Sequence, residues 1–389
     1  MASWNPADPS LWPTPSQRLL LRALLLDGAA AAGAWREWRL ANDPKDADRG
    51  DRALFPALFL AADRLALEPD VRAMLRAAYA ESWARNRLVI EHLAIVLRQF
   101  EADALPAVAL KGAALVLFYF GDVGARTMAD VDVLIEEADL RRAGDILRAR
   151  GWTIDRKLPP PAFVASFHAL PWRHSTGCSL DLHWRPFTID CPRAAEERLW
   201  RHTEVRDSAF GRIRVPGAAD LLILMCLNGR KQDHQAAGRW VADAMKVIER
   251  ADPPIDWHYV LEQCATAGIL LPVRDALAYL AREFDAPVPE DFLHAAERVP
   301  ARSADVARYR YLVQEHDEQR PLAEVLASQW WRYAAGCRSR GHRASVLGFV
   351  RFYLAYKQWE WGEPNLWQAF ARAAGAAMRR LRFHGFSRS

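Results

Sequence analysis

The amino-acid sequence predicts an α+β protein, in which a small mixed β-sheet with flanking helices lies between an N-terminal helical region and a C-terminal helical domain. Three observations predict this arrangement. Residues 1–100 are rich in Leu and Ala and lack strand alternation. Residues 101–215 interleave short apolar runs with glycine turns, and residues 216–389 return to helical periodicity. We therefore expect domain boundaries near these positions.

Composition and charge exclude several classes of protein. The chain has 52 Lys and Arg against 48 Asp and Glu, so its net charge of +4 does not argue for a nucleic-acid partner. The N-terminus lacks a signal-peptide pattern, and the apolar run 346–356 is interrupted by Arg351 and is too short to span a bilayer. The five scattered cysteines show no CxxC spacing, which predicts reduced thiols, no zinc site and a cytoplasmic protein. The oligomeric state stays open.

The central region begins where the helical pattern stops, near Leu105. The run PAVALK predicts a short strand, and Lys111 and Gly112 follow it directly, before the helical stretch AALVLFYF. A glycine at a strand-to-helix turn lets backbone N–H groups approach a phosphate closely. We therefore expect the turn at Lys111 and Gly112 to hold the triphosphate of a nucleotide.

The next predicted strand carries two carboxylates. Asp130 and Asp132 are separated by one residue in a run that ends Val133, Leu134, Ile135. Side chains on a strand alternate between its faces, so both carboxylates point the same way. Two ionised carboxylates on one face repel each other and are tolerated beside a cation, or in water at a strand end. The sequence therefore predicts a divalent metal there or an exposed edge.

A third carboxylate follows on a separate strand. An amphipathic helix over 136–150 ends at Gly151, WTID predicts a short strand, and CSLDLHW at 178–184 predicts another. Within it Asp181 and His183 lie on the face opposite the leucines. Three carboxylates that reach one point from two strands can hold two Mg²⁺ ions, which activate an attacking oxygen and stabilise leaving pyrophosphate.

With these motifs in place, the sequence resembles the uncharacterised nucleotidyltransferase family, a branch of the DNA polymerase β-type nucleotidyltransferase superfamily. The resemblance runs from about residue 55 to about residue 250. It rests on a set of matching stretches: NRLVIEHLAIVLRQFEAD, AVALKGAALVLFYF, R-x-x-x-D-V-D-V-L from Arg126, L-D-L-H-W, VPGAADLLILMCLNG and RWVADAMKVI. It implies a small mixed sheet as the catalytic core.

The resemblance also implies roles for individual residues. Asp130 and Asp132 become the paired metal ligands, and Asp181 a third ligand or the base for the incoming hydroxyl. Gly112 becomes the glycine of the superfamily's phosphate-binding turn. The next residue departs from the pattern, because Ala113 stands where the superfamily has Ser or Gly, so one hydroxyl contact to phosphate is missing.

Several other residues have two interpretations. Lys111 neutralises phosphate or remains in solvent, and Arg126 clamps a phosphate or bridges to a carboxylate. His183 assists proton transfer, or makes a structural hydrogen bond. Asp243 and Lys246 lie on one helical face, where a surface ion pair is favoured over a substrate contact.

The C-terminal end is basic. The arginines in the last stretch either contact a membrane surface or nucleic acid, or belong to a solvated terminal helix, which we favour: Arg372, Arg379, Arg380 and Arg382.

We predict from these observations a Mg²⁺-dependent nucleotidyltransferase. It moves a nucleoside monophosphate from an NTP such as ATP to a hydroxyl or phosphate of a small molecule, sugar or peptide, and releases pyrophosphate. An alternative is transfer of another group, such as a sugar, from a nucleotide-activated donor on the same metal site. A second alternative is a catalytically silent binding protein, for example an antitoxin-like partner, which Ala113 favours.

Overall fold

The computed structural model describes residues 11–155, 157–161, 163–164, 167–187, 191–229, 238–313, 322–339 and 342–386. The chain divides into two compact units. The first consists of residues 1–156 and 169–313, and the second of residues 157–168 and 314–389.

The first unit begins with helices, as predicted. They are α1 (Pro15–Leu25), α2 (Gly28–Ala41), α3 (Arg49–Arg52), α4 (Phe55–Leu60), α5 (Ala62–Leu65) and α6 (Pro69–Ala102). Helix α1 starts with a capping box, in which the Thr14 side chain accepts from the Gln17 backbone N–H and the Gln17 side chain accepts from the Thr14 backbone N–H. Pro69 occupies the first turn of α6, where its missing N–H has no helical partner to lose.

A five-stranded mixed sheet confirms the predicted α+β class. Its strands are β1 (Ala107–Leu110), β2 (Val131–Ile135), β3 (Trp152–Thr153), β4 (Ala169–His174) and β5 (Ser179–His183). Their spatial order is β1-β2-β5-β4-β3. Strands β2 and β5 pair in parallel, and the other neighbours pair antiparallel. Every residue of β2 is buried, so this strand lies at the centre of the core.

Helical segments connect the first strands. Helix α7 (Lys111–Leu115) starts directly after β1 and continues as a π-helical turn (Val116–Phe120). After β2, a 3-10 turn leads into α8 (Leu140–Ala149), which has a strongly one-sided apolar face.

Two β segments have no clear signal in the sequence, namely β4 of the sheet and a separate hairpin that follows it in the chain. Strand β4 contains Pro171, which removes a ladder donor, but β3 is only two residues long and pairs with His174 and Arg173, so Pro171 is paired on one side only. Strands β6 (Thr203–Ser208) and β7 (Gly211–Pro216) form a separate hairpin. Strand β6 reads TEVRDS and is charged and partly exposed on both faces, so it shows no apolar alternation.

The rest of the first unit is helical. Its members are α9 (Arg193–Arg201), α10 (Ala218–Gly229), α11 (Arg239–Arg250), α12 (Trp257–Ala267), α13 (Leu270–Phe284), α14 (Glu290–Arg298) and α15 (Ser303–Val313). Helix α10 is apolar around its circumference and contacts α11, α12 and α13. A helix of that composition belongs in a core.

The second unit contains α16 (Leu322–Ser339), α17 (Val346–Trp361) and α18 (Leu366–Phe386). Aromatic rings hold it together, with Phe163 edge-on to Phe352 and Tyr356 at centroid distances of 5.6 and 5.8 Å.

All five cysteines are buried and free of disulfides. Among the described residues, no helix combines the length and the apolar character needed to cross a membrane.

Candidate active site

The strand register brings two of the predicted carboxylates together. Asp132 on β2 is the direct neighbour of Asp181 on the parallel strand β5. Residues in register on adjacent strands point to the same face of the sheet. Leu180 and Leu182 flank Asp181 and are fully buried on the opposite face. The alternation seen in the sequence therefore holds Asp181 toward Asp132.

Lys111 supplies the cation at this point. Its Nζ lies 2.7 Å from Asp132 Oδ1, and both side chains are close to nine-tenths buried. The register explains the contact, because Leu110 is opposite Asp132 and Lys111 follows Leu110 directly. Lys111 has a φ of +42°, in the left-handed region that non-glycine residues rarely adopt. A strained backbone at such a position is typical of functional sites.

His183 completes the cluster. Its Nε2 lies 2.8 Å from the same Asp132 oxygen that Lys111 contacts. Asp132, Asp181 and His183 each offer one ligand atom, and these atoms lie within 4.8 Å of one another. This group of described residues joins His183 to Asp132 and Asp181, and the role of Asp130 as a metal ligand stays a prediction.

The pKa values of the two acids of the D-x-D pair are shifted in opposite directions. Burial opposes ionisation of Asp132, but the charge of Lys111 and the hydrogen bond with His183 hold its pKa well below the usual range. Asp130 lies just before β2. Burial and the negative charge of Asp132 raise the pKa of Asp130, against the opposing charges of Lys111, Arg239 and Arg126. A cation beside Asp130 would oppose this rise in its pKa, as the charges of Lys111, Arg239 and Arg126 do.

The residues present fit a divalent cation. Two carboxylates and an imidazole form a compact donor set, and the Lys111 ammonium already places positive charge against Asp132. Carboxylate oxygens are the ligands that Mg²⁺ prefers, and Mg²⁺ keeps several waters or substrate oxygens in its shell. Few protein ligands therefore suffice.

Helix α6 fixes the loop that leads to this cluster, residues 121–130. The buried Asn86 amide donates to the Val123 and Arg126 carbonyls at 2.6 Å each and accepts from the Met128 N–H at 3.2 Å. Arg85 donates to the carbonyl of Met128 at 3.0 Å and to that of Ala129 at 3.2 Å. These bonds satisfy backbone groups that a loop would otherwise leave unpaired.

Arg126 is an internal clamp. Its Nε and Nη2 donate to the two carboxylate oxygens of Asp243, on α11, at 2.7 and 2.9 Å. Both side chains are over nine-tenths buried. The favoured surface pairing of Asp243 with Lys246 is therefore wrong, since Lys246 pairs with Glu249 at 2.7 Å instead. The sequence interpretation failed because helical spacing does not reveal a partner more than a hundred residues away.

Gly112 and Ala113 are both buried. A Cβ on Gly112 would lie 3.0 Å from Arg126 Nη1 and 3.3 Å from Met128 Sδ. Any larger residue at 112 would therefore have to shift the side chain of Arg126 or Met128 by a few tenths of an ångström, so glycine suits the close approach of the loop. The phosphate role of Lys111, Gly112 and Ala113 stays a prediction.

Helix α11 adds one residue near the acids. Arg239, its first residue, donates from Nη1 to the Thr127 carbonyl at 3.2 Å, and its charge opposes the rise in the pKa of Asp130. Sequence reasoning missed Arg239 and Asn86. Asn86 could have been noticed in the sequence, because asparagine is a poor helix former. In the middle of a long helix it suggests that the side chain makes a specific hydrogen bond.

Comparisons with known proteins identify the family of the chain. The family described as "Uncharacterised nucleotidyltransferase" matches residues 52–285. Among solved structures, an antigenic nucleotidyltransferase-like protein from Paracoccidioides brasiliensis matches with 16% identity and a TM-score of 0.33, over 58% of this chain and 96% of that one. No protein of curated function matches. Because the family match spans more than half of the 389 residues and includes the whole acidic cluster, the chain belongs to the uncharacterised nucleotidyltransferase family.

Proposed function

We propose that this nucleotidyltransferase is Mg²⁺-dependent and transfers a nucleoside monophosphate from an NTP to a hydroxyl or phosphate of a small molecule, sugar or peptide. The observation that supports it most is the register of Asp132 beside Asp181, with His183 within ligand distance of both. Asp132, Asp181 and His183 would hold one cation, and a second beside Asp130 would oppose the rise in the pKa of that acid. The bound ions would neutralise phosphate charge and polarise the attacking oxygen.

The chain's own groups have separate tasks in this proposal. The acceptor oxygen forms a bond to the α-phosphorus of the NTP, the bond from that phosphorus to the β-phosphate oxygen breaks, and pyrophosphate leaves. Asp181, or a water beside it, takes the acceptor proton. Lys111 and Arg239 bring positive charge to the side where the triphosphate binds. Asp243 accepts from Nε and Nη2 of Arg126, so a phosphate contact of Arg126 would fall to its Nη1, and that contact stays a prediction.

Stabilisation of the protein by nucleotides and Mg²⁺ tests this proposal. Thermal stability is measured with Mg²⁺ and each NTP in turn, in the wild type and in Asp132→Asn. A ligand at about 100 times its dissociation constant adds roughly 2.7 kcal/mol to stability. We expect at least one NTP to raise the midpoint of the wild type only when Mg²⁺ is present, and Asp132→Asn to abolish the rise.

A matched control keeps the test interpretable. Asp145→Asn makes the same chemical change in the exposed Asp145–Arg148 pair of α8 and should retain the full response. Asp181→Asn supplies a second site variant, because Asp181 lies beside Asp132 on the parallel strand β5 and its substitution leaves the Lys111–Asp132 pair in place. If no NTP raises the melting midpoint of the wild type, the proposal is wrong. Release of a nucleoside diphosphate in place of pyrophosphate would instead identify transfer of another group.

A further inference from the structure

The positive charge of the chain is concentrated at its C-terminus. Residues 342–389 contain eight Lys and Arg against two Glu and no Asp, a net charge of +6. The whole chain carries +4, so residues 1–341 are net negative, at −2. Arg343 and Arg351 in this segment are exposed.

Exposed apolar side chains are concentrated in the same segment. Fourteen large apolar side chains are exposed in the described part of the chain, and seven of them lie between residues 346 and 378. They are Val346, Leu347, Val350, Leu366, Trp367, Phe370 and Met378. Single exposed apolar residues are normal, whereas a cluster of them marks an interaction surface.

Helical periodicity places most of these side chains on one side of their helix. On α18, Trp367, Phe370 and Met378 fall on one side of the helix, and Trp367 is 75% exposed. On α17, Val346, Leu347 and Val350 fall on one side of the first turns. The two helices pack against each other and are joined at Gly362, which ends α17 in a left-handed conformation.

The acids of the helical pair are already neutralised. Lys357 Nζ lies 2.6 Å from Glu360, and the Tyr356 hydroxyl donates to the same carboxylate at 2.8 Å. Arg372 donates to Glu363 at 2.8 Å. Residues 342–389 contain no other Asp or Glu, so the exposed Arg343 and Arg351 have no acid left to pair with inside this segment.

We propose that α17 and α18 form a docking surface for a lipid bilayer rich in anionic headgroups. Arginines flanking exposed Trp, Phe, Met and Val are the composition of a helix that lies in the membrane interface, where Trp is preferred. A second copy of this chain fits less well, because it would place two strongly positive segments against each other. A nucleic acid would use the arginines but leave the aliphatic side chains unburied. This inference does not depend on the proposed nucleotidyl transfer.

Vesicle sedimentation with the full-length protein tests the proposal. We expect at least tenfold stronger partitioning to vesicles that contain phosphatidylserine than to phosphatidylcholine alone, and a decrease at high salt. Trp367→Ala should lower partitioning by about tenfold, through loss of apolar burial. Arg351→Glu should lower it to anionic vesicles only.

Trp83→Ala is the matched control, since Trp83 is 44% exposed on α6 in the other unit and its loss should leave partitioning unchanged. Circular dichroism of each variant checks that it is folded. Equal partitioning of wild type and folded Trp367→Ala overturns the proposal, as does no preference for anionic vesicles. Concentration-dependent doubling of mass, without vesicle binding, would overturn it in favour of a dimer interface. Binding of an oligonucleotide in place of vesicles would also overturn it.

Discussion

Lys111 and Asp132 form a buried ion pair with an Nζ–Oδ1 distance of 2.7 Å, and Asp132 belongs with Asp181 and His183 to the cluster whose side chains could hold a metal ion. The pair follows from strand register, because Leu110 is opposite Asp132. The left-handed backbone of Lys111 holds its side chain at that position. An ammonium and a divalent cation would compete for the same carboxylate, so the pair predicts how Lys111 influences metal binding.

The first prediction is that Lys111→Met makes the protein less stable in chelator and more responsive to metal. Without its cation the buried Asp132 is destabilised, by about 3 kcal/mol. Mg²⁺ or Mn²⁺ alone should then raise the melting midpoint more than in the wild type, since no ammonium has to be displaced. Isothermal titration with Mn²⁺ measures the affinity directly.

Lys357→Met is its control, because Lys357 makes a similarly buried pair with Glu360 within the second unit. It should lower stability without changing the metal response. An equal metal-induced rise in wild type and Lys111→Met would show that Lys111 does not compete with the ion.

The second prediction concerns the Arg126–Asp243 clamp. Asp243→Asn leaves the buried Arg126 guanidinium without a full counter-charge, which should cost about 3–5 kcal/mol in the free energy of unfolding. Burial disfavours the charged form of Arg126, but Asp243 more than offsets this and raises the pKa of Arg126. Urea denaturation measures the loss.

Two further variants make the clamp test specific. Glu249→Gln removes the partly exposed Lys246–Glu249 pair on the same helix and should cost no more than about 1 kcal/mol. The double variant Arg126→Met with Asp243→Leu removes both buried charges and should recover most of the stability. A small effect of Asp243→Asn alone would mean that the pair is solvated in solution.

The third prediction contrasts two glycines. A Cβ on Gly124 would lie 2.5 Å from the ring of Tyr79, whose hydroxyl is bonded to Asp122 in the same loop. Gly124→Ala should therefore displace Tyr79 and lower stability by about 1–3 kcal/mol. Gly33 lies inside α2 with no atom within 4 Å of a Cβ, so Gly33→Ala should raise stability by about 0.5–1 kcal/mol. Thermal denaturation distinguishes them, and similar shifts in both would contradict the packing of Tyr79 on the loop.

The sheet shows which parts of the fold can be predicted from local sequence patterns. Short-range alternation predicts the strands that carry Asp132 and Asp181, because each has buried neighbours on the opposite face. It does not predict β4, whose Pro171 is tolerated only because β3 is so short. Likewise it names Arg126 but not its partner. The Asp243 contact depends on how α11 packs against the loop, which no local pattern contains.

The same limit explains the third member of the acidic cluster. Sequence reasoning paired Asp130 with Asp132 as metal ligands, which stays a prediction, and left His183 open between proton transfer and a structural hydrogen bond. In the structure Asp130 precedes β2, whereas His183 lies on the paired strand and reaches Asp132 Oδ1. Which side chain reaches a shared point depends on inter-strand distance and side-chain length, and the D-x-D spacing alone does not contain that information.

The last prediction is a pH dependence that arises away from the acidic cluster. Asp220, on α10, is fully buried, and burial raises its pKa from 3.8 to about 7, against hydrogen bonds from Tyr259 at 2.7 Å and Gln263 at 3.4 Å. Between these two values the folded state holds a proton that the unfolded state has released. The stabilising contribution is therefore complete below about pH 4 and is lost as the pH rises toward 7, an effect on the order of a few kcal/mol.

Asp220→Asn keeps an amide in place of the protonated acid, so the free energy of unfolding should vary less over this range. Denaturation of wild type and Asp220→Asn at matched pH values measures the difference, and parallel pH profiles would show that Asp220 is ionised throughout.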